Sequence, residues 1–367
     1  MIVSSVDLKK ILRPLSPVRT ETYQILDSGL ILAQDSDAWV IVESPLSGLG
    51  DFAVNGKKFG QIVNKLSKDI EITRDGDNLT LKSAKAKIDL KVLSIKTPKI
   101  PDVPQKPFAV VDLATYKKLL AIAAGSASPN KSLSVGGVVQ WQSLPLGIED
   151  TLPPGYRLVG SDGQVGTIVT NPNSPVSEFK LLLNLEAAAV VQIMDGETLL
   201  AFDSEKSIIL RSGKVTVFAS KRDETDPKRR YPNFDNLLAN PPKLVFQFQS
   251  QDWAQALRTV EPLMDESVDK GGVTLHLAEG VVVFKTVGVG DRAEDEAPYE
   301  QITPDPIFDK QVTVSDLRIN AKYTREFLAK AGPESTMSLT DKKTPVRLES
   351  GEIITLMMPM IGTKEMK

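Results

Sequence analysis

The chain contains no cysteine and a single histidine among its 367 residues. The first absence excludes a disulfide framework, a thiolate metal site and a cysteine nucleophile. The second leaves any Ser-His-Asp triad or imidazole-held metal to His276 alone. His276 stands in the alternating run Val273-Thr274-Leu275-His276-Leu277, where Leu275 and Leu277 share one face and His276 points to the other. That is the pattern of a strand with a solvent-facing imidazole. No apolar run is long enough for a membrane span: the stretch at 181–194 is broken by Asn184 and Glu186, short of the ~18 residues a spanning helix needs. Asp7, Lys9 and Lys10 interrupt any secretory h-region, so a cytoplasmic setting without a membrane partner is expected. There is no G-x-x-x-x-G-K-[ST] loop, and the glycines at 287–291 lack the third glycine and following helix of a dinucleotide site. That stretch and the charged run at 223–230 are expected to be loops, and no cofactor or metal is expected.

What is present is ordinary globular composition, 41% apolar and 25% charged with a net charge of −3, at a length that argues for two or three domains. The informative feature is repetition. Three times an apolar residue is followed by Asn and then by helical apolar spacing: Val54-Asn55, Leu183-Asn184 and Ile319-Asn320. Asn suits the N-cap, where its side-chain oxygen takes an orphan N–H of the first turn. Phe59, Ile62, Val63 and Leu66 after the first, and Tyr323, Phe327 and Leu328 after the third, fall on one helical face. Each helix hands over to a strand, a polar turn and two further strands, ending near Val92, Ala219 and Met357. A second class of helix precedes each unit, at 7–15, 113–123 and 252–264, and each is followed by a strand opened by Gly29, Gly155 or Gly280. The three asparagines lie 129 and 136 residues apart.

The expectation is an α+β fold of three repeated domains, 1–105, 106–242 and 243–367, each with two helices on an antiparallel sheet whose other face meets solvent. Proline-rich linkers fall at 98–107 and 240–243. Consecutive copies abutting edge to edge would remove exposed strand edges and close into a curved assembly. Over the six helices at 7–15, 56–68, 113–123, 185–194, 252–264 and 321–331 there are 13 basic and 5 acidic residues, +8 against −11 for the rest of the chain. A basic helical layer on an acidic body suits a protein that surrounds a polyanion.

Four short segments, in this order, resemble the bacterial-type DNA polymerase sliding clamp, or β clamp, the DNA polymerase III beta subunit family: Arg157-Leu158-Val159-Gly160-Ser161-Asp162-Gly163, Tyr231-Pro232-Asn233-Phe234, Ile319-Asn320-Ala321-Lys322-Tyr323 and Met358-Pro359-Met360. The resemblance spans essentially the whole chain. It implies a non-catalytic processivity factor: a head-to-tail homodimer closing a ring around duplex DNA, nucleoid-associated, tethering a replicative polymerase and placed on DNA by an ATP-driven clamp loader. The DNA-facing charges are then expected among Lys9, Lys10, Arg13, Lys57, Lys58, Lys65, Lys68, Lys117, Lys118, Arg258, Lys322, Arg325 and Lys330. A partner-peptide pocket is implied at Val135, Ser161, Gly163, Gln164, Val165, Gly166, Pro232, Leu237, Pro345, Leu356, Met357, Met358, Pro359 and Met360.

The chain departs from the family pattern where Asp-Gly is followed by Gln164-Val165-Gly166 instead of His-Arg-Leu. It departs again where Asp235 and Asn236 stand in place of basic residues, and in the tail 361–367. These departures mark a divergent member with a less basic, more apolar pocket. Its cognate ligand is expected to be a short linear peptide with Leu or Phe anchors and a Gln. Two other readings are open on the residues alone: a three-repeat β-rich adaptor that does not bind DNA, against which stands the helix-confined positive charge, and a hydrolase using Asp162 and Asp341. Carboxylates in turns more often serve as caps or Asx-turn formers.

Overall fold

The computed structural model describes residues 1–84, 86–144, 155–172, 176–222, 230–239, 241–264, 271–278, 280–287, 292–301, 317–340 and 344–360. The expected loops at 223–229 and 288–291, the turn containing Asp341, Asn240 of the second linker and the tail 361–367 lie outside the described residues. Among the described residues no helix is long and apolar enough to cross a membrane.

The element order repeats three times, a strand, a helix, four strands, a helix and three strands, with an additional two-residue strand in the first copy (Leu93–Ser94) and in the third (Glu300–Gln301). The first-class helices are α1 (Ser5–Leu12), α3 (Leu113–Gly125) and α6 (Ser250–Val260). The second-class helices are α2 (Gly56–Lys65), α4 (Leu185–Ile193) and α7 (Ala321–Leu328). A five-residue helix, α5 (Phe234–Leu238), stands alone, capped by Asn233. Each second-class helix starts where the Asn spacing places it. Asn55, Asn184 and Asn320 accept from the N–H three residues on, at 2.9, 2.8 and 3.3 Å. Two of the first-class helices, α1 and α6, end earlier than their apolar spacing suggests, while α3 runs on to Gly125. Pro14 and Pro262 cannot supply the next N–H, so α1 and α6 tighten into 3₁₀ turns at Arg13–Leu15 and Glu261–Leu263.

By compactness the chain divides into two units, and the division falls inside the middle copy. The first unit comprises Met1–Ala121, Val138–Arg157 and Pro172–Asp223. It holds a four-stranded antiparallel sheet in the order Ile2–Ser4, Asp69–Asp75, Asn78–Ser83, Ala86–Lys91. It also holds a larger sheet in which Val215–Ser220, the last strand of the second copy, pairs antiparallel with Ala38–Ser47, the fourth strand of the first, with Val215 opposite Val42. Helix α3 drives Tyr116 among Trp141, Tyr156 and the sheet, with ring centroids 4.7 and 5.9 Å away. The opposite face of the large sheet is not simply solvent-facing, contrary to expectation. Alternate residues Leu32, Ile41, Ile209 and Phe218 are apolar as well, and Ile95, just before the proline-rich segment, and Ile100 and Val103 within it pack over them. Burying that second stripe gives the linker a fixed course.

The second unit comprises Ile122–Gly137, Leu158–Asn171 and Glu224–Lys367. Its large sheet repeats the first unit's junction: Ile353–Met357, the last strand of the third copy, pairs antiparallel with Val165–Asn171, the fourth strand of the second, with Val165 opposite Met357. Its four-stranded sheet runs Arg292–Pro298, Val281–Val287, Gly272–Ala278, Leu317–Asn320. Trp253 on α6 occupies the position of Tyr116 on α3, stacked on Phe248 at 3.8 Å and edge-on to Phe284 at 5.2 Å. His276 sits half-buried between the buried Leu275 and the half-buried Leu277, so its strand is less open on that face than its alternation suggests.

Candidate functional site

Two arrangements merit attention, the basic helices and the apolar end of the last strand. In the first unit Lys10, Arg13, Lys57, Lys58, Lys65, Lys68 and Lys118 are exposed. Lys10 and Arg13, three residues apart, share a face, as do Lys58 and Lys65, seven apart, while Lys57 diverges from Lys58 by ~100°. Lys9 and Lys117 are different. The Lys9 ammonium donates to the Leu66 carbonyl at 3.0 Å, and the Lys117 ammonium donates to the Met194 carbonyl. Leu66 and Met194 are the C-caps of α2 and α4, so each lysine ties a first-class helix to the carbonyl end of its second-class partner, where a cation is favoured. In the second unit the corresponding position on α6 is Ala254. There Arg325 of α7 pairs instead with Glu261, just past α6. Arg258 is exposed with its Nε on the Ala254 carbonyl at 3.1 Å, Lys322 is exposed over the Tyr323 ring, and Lys330 is half-buried.

Of the pocket residues implied by the resemblance, Val135, Ser161, Gly163, Gln164, Val165, Gly166, Leu356, Met357 and Met358 are joined in the second unit by contacts of their own. The loop after Ser161 is an Asx turn: Asp162 Oδ1 accepts from the Gln164 and Val165 amides, both at 2.9 Å. Ser161 Oγ donates to the Val165 carbonyl at 2.7 Å and accepts from the Gly163 amide at 3.1 Å. Gly163 takes φ +93, and a Cβ there would stand 3.8 Å from the Val135 side chain, which marks Val135 as its neighbour. Gly166 lies against Phe234, so closely that a Cβ would fall 2.3 Å from the ring. Phe234 opens α5, and the Tyr231 hydroxyl anchors the same segment to the Val159 carbonyl at 3.0 Å. Pro232 and Leu237 therefore flank a segment fixed beside Gly166. Pro345 precedes Val346, which is paired with Met357.

After Met357 the chain leaves the sheet in steps. The Met358 amide donates to the Gln164 carbonyl at 3.0 Å and the Met360 amide to the Arg318 carbonyl at 2.8 Å. Pro359, with no N–H to give, lies between them. Leu356 and Met357 are buried, as are Val135, Ser161, Val165 and Gly166. Leu237 and Met358 remain 40% and 45% exposed. Pro232, Pro345, Pro359 and Met360 are half-buried.

Two residues absent from the sequence-level set belong to this site. Asp162 organises the loop, and its second oxygen, Oδ2, accepts from the hydroxyl of Tyr323 on α7. Burial, the hydrogen bond and charge of Asp162, and Glu326 together push the Tyr323 hydroxyl well above its ordinary range, so it stays a donor. Both oxygens of this carboxylate are thereby engaged, one by backbone amides and the other by a tyrosine hydroxyl, which argues against the hydrolase reading of Asp162. Its proposed companion Asp341 lies outside the described residues, and no cluster of three metal-ligating side chains occurs among those described.

No family model and no curated protein matches this sequence. Solved structures do match along the whole length. The DNA polymerase III beta subunit of Thermotoga maritima aligns with a TM-score of 0.82 at 17% identity, covering 98% of each chain. The Caulobacter crescentus pol III beta aligns at 0.81 and 16%, and the Pseudomonas aeruginosa DNA polymerase sliding clamp at 0.80 and 15%, each over 98% of this chain and 99% of the other. The chain has the fold of these proteins, α+β with repeated clamp domains.

Proposed function

We propose that the chain is a DNA sliding clamp, a non-catalytic processivity factor of three domains, 1–105, 106–242 and 243–367, that closes as a head-to-tail homodimer around duplex DNA. The observation that carries this reading is an unfinished pattern. Each large sheet joins the last strand of one copy to the fourth strand of the copy before it: Val215–Ser220 to Ala38–Ser47, and Ile353–Met357 to Val165–Asn171. One last strand, Ala86–Lys91, and one fourth strand, Arg292–Pro298, are left as outer edges of four-stranded sheets. The same antiparallel pairing made between two chains satisfies both, and head-to-tail repetition closes. The edges differ in charge as well: Lys87 and Lys91 flank Asp89 on one, and Glu294, Asp295 and Glu296 stand in a row on the other.

In this reading the helices line the opening, and Lys10, Arg13, Lys58, Lys65, Lys118 and Lys322 meet phosphates with no base contact, in a salt-sensitive way. Lys9 and Lys117 act mainly to hold helix pairs. Topology retains the DNA, and the groove of the second unit takes the peptide motif of a replicative polymerase, a clamp loader and other partners. The protein works in the cytoplasm at the nucleoid, without cofactor. Sedimentation at micromolar concentration tests the premise: a species of about twice the 40.0 kDa chain is expected, and a stable monomer would contradict it.

A further inference from the structure

We infer that Asp162 and Tyr323 are positioning residues for the partner-peptide groove, the Tyr323 hydroxyl locking the Gln164–Val165 wall to α7. The inference rests on the groove reading of the proposed function. Its support is internal to the chain, because the first unit ties the same loop to its second-class helix by a different route, the Asn184 side-chain amide donating to the Asp37 carbonyl at 2.6 Å. There Asp35 Oδ1 accepts from the Asp37 and Ala38 amides, both at 2.8 Å, as Asp162 Oδ1 does from Gln164 and Val165. Asp35 N donates to the Ala38 carbonyl at 3.0 Å, and Asp162 N to that of Val165 at 3.2 Å. One carboxylate oxygen therefore suffices to form the turn.

The second oxygen is where the two copies part. Asp35 Oδ2 takes the amide of Arg19, a backbone group sixteen residues away. Asp162 Oδ2 takes a side chain 161 residues away, on a helix. Counting from the capping asparagines, the first-unit counterpart of Tyr323 is Ala187, which has no hydroxyl to offer. Tyr323 also lines, with Val165, Thr167 and Thr355, a cavity of about 10 Å³ behind the wall, room for one water-sized sphere. Without the hydroxyl, the loop loses the Asp162 hydrogen bond to α7 and keeps only the apolar packing of Val165 against that helix. The Gln164 carbonyl, which receives the Met358 amide, moves with that loop, so the lock sets both the wall and the exit of the terminal strand.

The test uses the full-length protein, Tyr323→Phe, Asp162→Ala and the conservative Asp162→Asn, with two readouts. One is affinity for a short fluorescein-labelled peptide bearing one Gln and a Leu-Phe pair. The other is amide hydrogen exchange at Gln164 and Val165 without peptide. Tyr323→Phe is expected to weaken peptide binding about tenfold, the size of one hydrogen bond to a charged group, and to speed exchange at both amides with the protein still folded and its melting only modestly lowered. Asp162→Ala should do more, and Asp162→Asn, which keeps an oxygen for the turn and an amide for the hydroxyl, should restore most of the affinity. Unchanged exchange in Tyr323→Phe overturns the lock whatever the peptide does. Faster exchange with unchanged peptide affinity overturns its positioning role. A wild-type protein that binds no such peptide contradicts the groove reading, while the exchange data still decide whether the lock exists.

Discussion

The junction of Ala38–Ser47 with Val215–Ser220 in the first unit and that of Val165–Asn171 with Ile353–Met357 in the second are the same construction finished in two ways. In the first, the strand end is closed with polar groups: the Ser220 amide donates to the Asp37 carbonyl at 2.8 Å, and Lys221 pairs with Asp203 at 2.6 Å. In the second, the equivalent amide belongs to Met358, and the next two residues are Pro359 and Met360. Loop residues Ser36 and Asp37 correspond to Gly163 and Gln164. The backbone scaffold is common to both, and at the junction proposed to bind a peptide the polar seal is exchanged for apolar, partly exposed side chains.

The comparison can be broken most forcefully at the terminal run. Deleting residues 358–367 removes the Met358 and Met360 backbone bonds and the exposed anchor, and should reduce partner-peptide affinity by at least ~100-fold while leaving the dimer assembled. Titration calorimetry and sedimentation on one preparation check this. If the truncated chain bound its peptide normally, the two junctions would not differ in function. Next in size is the shared core position. Tyr116→Ala and Trp253→Ala should each cost ~3–5 kcal/mol, read as a lowered denaturation midpoint, because both rings are fully buried at the same point of a first-class helix.

The basic helices offer a finer division. Lys10→Glu, Arg13→Glu and Lys65→Glu together should weaken DNA retention and flatten its salt dependence with melting unchanged. Lys117→Met should instead lower stability by ~1 kcal/mol with DNA retention nearly intact. Equal effects on DNA would erase the distinction between helix-tying and outward lysines. The smallest effect concerns hairpin turns. Gly213 and Gly351 take φ +53 and +56, where the first copy has Ala84 at φ +48. Ala84→Gly should stabilise by ~1 kcal/mol, measurable by chemical denaturation, since the left-handed conformation costs a Cβ about that much.

Much of this was legible in the sequence because repetition makes local signals reinforce one another. The three Asn caps, the helix classes and the hairpins after them were readable from spacing alone. What was not legible depended on the third dimension. Lys9 and Lys117 look like any surface lysine until the C-caps of α2 and α4 arrive beside them. The stripe of Ile41, Ile209 and Phe218 gains meaning only when Ile95, Ile100 and Val103 cover it. Tyr323 reads as a core aromatic on an amphipathic helix, and Asp162 as an Asx-turn former, and each reading is correct as far as it goes. Their meeting joins positions 161 residues apart, which no periodicity encodes.

The central claim is topological, and one measurement addresses it directly: retention of the loaded protein on nicked circular DNA before and after the circle is cut once. Closed rings should stay on the circle through gel filtration at moderate salt and leave within minutes of linearisation. Equal retention on circular and linear DNA, or loss from both, would contradict encirclement and with it the pairing of the two leftover strand edges.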